Sequence, residues 1–65
     1  MIIKIYNYND LVKTVREDDK YFNILLTLNV GDYIYPDEDM KLQIRSKSII
    51  LDGENTFIEL AAILA

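Results

Sequence analysis

The stretch Lys47-Ser-Ile-Ile-Leu-Asp-Gly-Glu-Asn55 decides how this chain folds. Asp-Gly accepts the positive φ angles of a tight turn, so Asp52-Gly53 can reverse a strand into a hairpin. The same pair can instead turn the corner of a coil. A hairpin lets 65 residues close their own sheet as a small α+β domain. A corner makes the chain a short piece of solenoid whose last rung needs a cover.

The flanking segments read mostly as strands. On the C-terminal side, Thr56-Phe-Ile-Glu59 fits a helix capping box, and Phe57, Leu60, Ala61 and Leu64 fit a helical stripe. Thr56, Ile58 and Leu60 also alternate; a strand over 55–60 is favoured and the tail beyond stays open. On the N-terminal side, 48–51 is a strand, and 40–45 alternates Met40, Leu42 and Ile44 with Lys41, Gln43 and Arg45. Residues 33–35 are extended, and Pro36 leads into an exposed loop, Asp37-Glu38-Asp39. Over 22–30, Phe22, Ile24, Leu26 and Leu28 alternate, and Leu25 makes the second face partly apolar, which predicts a strand covered on each side. Gly31-Asp32 ends it in a turn. Ile3 and Ile5 share one face of a strand over 2–6. Asn7 then reads as a helix N-cap, with Tyr8, Leu11, Val12 and Val15 as the apolar stripe of a helix over 8–17. Glu17-Asp18-Asp19 would end that helix by opposing its dipole.

In this order the segments NYNDLVKTVRE (7–17), NVGDYIY (29–35) and KLQIRSKSIILDGENTFIEL (41–60) resemble a known arrangement. They are similar to the N-terminal capping helix and first rungs of right-handed parallel β-helix proteins of the pectate-lyase-like group. Leu28, Gly31, Tyr33, Ile49, Leu51, Gly53 and Ile58 occupy the matching places, and Gly31 and Gly53 lie 22 residues apart, about one rung. The resemblance implies a mostly β chain with one N-terminal helix, wound as a miniature β-helix. A small antiparallel sheet with one packed helix is the alternative. Enzymes of that group carry their catalytic residues on central rungs, which this length does not hold, so no catalytic residue is carried over. A solenoid needs about three repeats to bury its faces, so the C-terminal rung would be open.

Composition narrows the function. There is no cysteine and no histidine, which removes disulfides, thiolate metal sites and the commonest general base near neutral pH. A 65-residue domain buries only about 60% of the surface its unfolded chain exposes and is marginal alone, so self-association or a partner is expected to support it. Eleven acidic against seven basic residues give a net charge of −4, which argues against direct nucleic-acid binding and permits contact with a basic protein surface. No apolar run is long enough to span a membrane, and MIIKIYNYND carries no long apolar signal core. The expectation is a soluble cytoplasmic protein. Ile, Lys, Asn, Tyr and Asp supply 32 of the 65 residues, a usage suggesting an A+T-rich genome such as that of a low-GC bacterium or its phage.

No constellation reads as an active site. Asp32, Asp37, Glu38 and Asp39 offer oxygen ligands, but the glycine and distal glutamate of a calcium loop are missing, so the segment reads as solvated acid. Asp52 and Glu54 flank Gly53, and residues so spaced across a turn seldom converge on one sugar. No enzyme activity and no cofactor are expected. Tyrosine, with its apolar face and polar tip, favours interfaces. Tyr33 and Tyr35, sharing a strand face beside Asp37, Glu38 and Asp39, are the candidate patch for a protein partner. The apolar tail IELAAILA, with Ile58, Leu60, Ile63 and Leu64, is the candidate for self-association into a homo-oligomer. The chain thus reads as a small acidic interaction module, in the manner of a phage or mobile-element inhibitor of a host protein. A capping or assembly module of a larger β-helix protein (a tail fibre or glycan-binding protein) and an acidic nucleic-acid mimic are the alternatives.

Overall fold

A computed structural model describes all 65 residues and places Asp52-Gly53 in a hairpin. The elements are β1 (Ile2–Asn7), β2 (Asp10–Arg16), α1 (Phe22–Leu26), β3 (Tyr33–Asp37), β4 (Met40–Ile50) and β5 (Phe57–Leu64). The strands form one sheet in the order β2-β1-β5-β4-β3, curled into a half-barrel. β4 runs antiparallel to β5, from Ile50↔Phe57 to Leu42↔Leu64, and residues 51–56 connect them. Gly53 takes φ 56°, and the Asn55 N–H donates to the Asp52 carbonyl at 2.8 Å.

The chain is therefore not a right-handed parallel β-helix. Three of its four strand pairings are antiparallel, and only β1·β5 is parallel. The 22-residue glycine spacing is not a rung. Gly31, at φ 99°, turns the chain into β3, and its N–H donates to the Ile44 carbonyl of β4 at 2.8 Å. The small sheet with one packed helix is the architecture that stands, with one parallel pair in it and the helix in a different place.

The expected helix over 8–17 is a strand. Asn7 and Asp10 close a two-residue loop, and β2 returns antiparallel to β1. The helical stripe has a physical cause. Ile5 pairs Lys13 and Tyr6 pairs Leu11, so Val12 is the extra residue of a β-bulge. A bulge breaks period 2, and Leu11, Val12 and Val15 then fall at helical spacing. Val15, opposite Ile3, is buried, and Val12 packs against the core.

The expected strand over 22–30 does not form: Phe22–Leu26 is α1, and 27–30 are turn and irregular chain. Phe22, Leu25 and Leu26 make one helical face; Phe22 is buried, and the two leucines pack on the core. Asp19 starts the turn, its carboxylate accepting the Tyr21 N–H at 2.8 Å and its carbonyl accepting the Phe22 N–H at 3.0 Å. A five-residue helix does not hold alone. Its exit is met by Lys47, whose Nζ donates to the Leu26 carbonyl at 2.6 Å.

The strands expected at 40–45 and 48–51 are one, β4, with a bulge at Arg45. Leu42 and Ile44 face inward before it; after it Lys47 and Ile49 take that face, opposite Leu60 and Ile58. β3 extends beyond the expected 33–35 to Asp37, with a bulge that holds Pro36, a residue with no N–H to give to a ladder. The tail left open is strand through Leu64, so β5 is longer than the expected 55–60 and is the central strand of the sheet. Along it Ile58, Leu60 and Ala62 point into the half-barrel, while Phe57, Glu59, Ala61 and Ile63 point out. With Ile3, Ile5, Val15, Phe22, Leu42 and Ile44 the inward residues complete a core of nine, which is small for a chain of this length.

Candidate functional site

Two surfaces carry the functional candidates, one inside the curl and one outside. Inside, the two edge strands β2 and β3 wall a groove of about 300 Å³. Ile5, Lys13 and Val15 come from the β1–β2 hairpin, and Ile34, Tyr35 and Pro36 from β3. The end closest to the helix is formed by Tyr21, Ile24 and Leu25. Lys13 is the one charged side chain in this lining. The Asp37–Asp39 turn continues β3 directly beyond Pro36.

The main chain of β2 is open toward the groove side. The Tyr8 N–H donates to the Ala62 carbonyl at 3.1 Å, so even residues of β1 address β5 and odd residues address β2. Ile3↔Val15 and Ile5↔Lys13 are then the hydrogen-bonded pairs, and Thr14 and Arg16, opposite Lys4 and Ile2, turn their N–H and C=O away from β1.

Outside, no element covers the sheet. The central strands β1 and β5 set Ile2 beside Phe57, Lys4 beside Glu59 and Tyr6 beside Ala61 on this face. Lys4 Nζ lies over the Phe57 ring, 4.4 Å from its centroid. Ile50 and Ile63 extend the apolar stripe, and Leu11, beside Tyr6, is exposed.

The residues singled out in the sequence are dispersed over these surfaces. Tyr33 lies opposite Gln43 on the outer face, with Lys41 Nζ 4.4 Å from its ring centroid. Tyr35 falls at the bulge and reaches the groove instead, so the two tyrosines part. Asp37, Glu38 and Asp39 are exposed at the β3–β4 turn, where the Asp37 carboxylate accepts the Asp39 N–H at 2.8 Å. Asp32 sits at the other end of β3, about 16 Å away by strand rise, and its carboxylate accepts the Asn29 N–H at 2.8 Å. The four acids therefore do not converge, and no group of three or more carboxylates is placed to hold a metal. In the tail, Ile58 and Leu60 are buried in the core and present nothing to a partner. Ile63 belongs to the outer face, and Leu64 is exposed at the sheet end.

The outer pairing of Lys4 with Glu59 was missed in the sequence because it joins residues far apart through a parallel pairing. Its local trace is the alternation of Ile2, Lys4, Tyr6 and of Phe57, Glu59, Ala61, Ile63, a second apolar-and-charged set out of phase with the core. No helix is long and apolar enough to cross a membrane. No protein-family model matches the chain, nor does any curated protein or solved structure match it.

Proposed function

We propose that this chain is a non-catalytic protein-interaction module that self-associates through the outer face of its sheet. The observation that carries the reading is the register of β1 with β5. A two-fold axis running along the strands, midway between these two, exchanges each register pair across the interface. Lys4 of one copy then lies over Glu59 of the other, Tyr6 over the small Ala61, and Ile2 over Phe57. Sheets stacked face to face stand about 10 Å apart, which accommodates one interdigitated layer of such side chains.

The apolar residues supply the affinity and the charges fix the register, since an interfacial ion pair contributes more to specificity than to strength. The curl of the sheet confines contact to the central strands, so the interface belongs to the small, weak class. A concentration-dependent dimer is expected rather than a permanent one. Sedimentation across a concentration series tests this. Lys4→Glu and Glu59→Lys, each placing like charges face to face, should weaken the dimer by about tenfold or more. The double variant should restore it. A mass that stays monomeric at millimolar concentration, or a double variant no better than the singles, sinks the proposal.

A further inference from the structure

The groove between β2 and β3 is a separate surface, and we propose that it takes an extended peptide segment as a sixth strand. The segment is apolar at alternate positions and ends in lysine or arginine. This rests on the chain being an interaction module but not on its being a dimer.

An unpaired strand edge is a template for another strand. Here the curl brings both edges of one sheet to a single groove. The two edges are not equivalent. β3 is bulged and carries Pro36, so it is a poor ladder partner. β2 is regular from Lys13 to Arg16; the Thr14 N–H and C=O and the Arg16 N–H are free, while the Arg16 carbonyl accepts the Asp19 N–H at 2.9 Å. The incoming strand therefore pairs with β2 and lays alternate side chains on Ile34, Tyr35 and Pro36. A groove of about 300 Å³ lies at the lower limit for a whole small ligand, and it suits a few side chains projecting from a strand.

Charge sets the partner's polarity. The groove runs toward the Asp37–Asp39 turn along β3 and toward Asp10 along β2. The chain's ion pair, between the Met1 ammonium and Glu17, lies at the opposite end, so these acids have no paired cation. A strand antiparallel to β2 brings its C-terminal end to this acidic end. Basic residues there meet Asp10, Glu38 and Asp39, and the net charge of −4 steers them in.

The probe is an amidated peptide, Val-Thr-Val-Thr-Val-Lys-Lys, compared with the same peptide ending in Glu-Glu. Amide chemical shifts of the full chain are followed during titration. The lysine peptide is expected to bind with shifts on Lys13–Arg16 and Ile34–Asp39. Glu38→Lys with Asp39→Lys, both exposed, should reverse the preference between the two peptides. Thr14→Pro removes one outward N–H while keeping the β2–β1 ladder, and should weaken binding by about tenfold, as the loss of a desolvated hydrogen bond does. Tyr35→Ala, an exposed position, guards against a proline variant that fails to fold, and should also weaken binding. Absence of binding by either peptide at millimolar concentration overturns the proposal, as do shifts confined to Lys4 and Glu59 or a preference unchanged by the charge reversal. Absence of peptide binding by a natural chain that still self-associates in sedimentation rejects the groove alone. Peptide binding by a monomeric Lys4→Glu variant upholds the groove while rejecting any dependence on the dimer.

Discussion

Tyr8 is the one non-glycine residue with positive φ, 56°, and it sits in the two-residue loop that turns β1 into β2. A side chain in the left-handed region costs roughly 1–2 kcal/mol, and Tyr8 is exposed, so its ring returns little by burial. Tyr8→Gly is expected to raise stability by about 1 kcal/mol, the relief of that strain less the added freedom of glycine in the unfolded chain. A higher urea midpoint with an unchanged slope is the sign to look for. Next to it, Asn7 keeps a buried Oδ1 with no hydrogen-bond partner. Asn7→Val removes that acceptor and adds a β-branched residue to a strand, and should stabilise by about 1 kcal/mol. The ends of this loop read equally well as the start of a helix. Asn7 and Asp10 are as good at closing a tight turn as at starting a helix, because in each case a short polar side chain serves nearby main-chain groups. Asp52-Gly53 was legible as a hairpin turn from its own chemistry. The expected helix over 8–17 and the spacing from Gly31 pointed instead to a solenoid corner.

At the scale of elements, the strands that obey period 2 were legible and those that break it were not. Residues 40–44 and 57–60 alternate cleanly and are strands, and Ile3 and Ile5 mark β1. β2 carries its bulge at Val12 and took on the spacing of a helix. The α1 segment shows the converse, since Phe22, Ile24, Leu26 and Leu28 alternate while Phe22, Leu25 and Leu26 carry the true helical face. In a five-residue helix both patterns fit, and tertiary packing decides between them. In the proposed dimer the two faces of β5 hold different things together, and substitution separates them. Leu60→Ala opens a cavity at the centre of the core and should cost about 2–5 kcal/mol. Ile63→Ala, on the outer face, should cost about 1 kcal/mol or less in the monomer while lowering self-association. Urea unfolding at low protein concentration, paired with sedimentation at high concentration, reads the two effects apart. Equal losses of stability would remove the distinction between the faces.

For the whole molecule, the groove and the outer face follow from long-range strand order, which no local pattern encodes. The sequence raised the expectation that a small chain without cysteine or histidine is supported by a partner or a second copy. It did not point to the side opposite the buried residues of its C-terminal strand, where the proposed dimer would find that support. The physical consequence is a coupling of stability to concentration. A face that pairs only in the folded state stabilises that state by mass action, in proportion to the logarithm of the free partner over its dissociation constant. The melting temperature of the natural chain should therefore climb as concentration is raised from micromolar to millimolar. For a domain of this size each 1 kcal/mol shifts the midpoint by about 4–8 °C, so a hundredfold span above the dissociation constant, worth about 2.7 kcal/mol, gives a large signal. Lys4→Glu should flatten the dependence, and adding Glu59→Lys should bring it back, because the two charges change places across the same axis. Added salt should matter little if the apolar pairs dominate, since screening acts on exposed charges and hardly on buried ones. A melting temperature independent of concentration in the natural chain would leave its core of nine residues as the whole of its support.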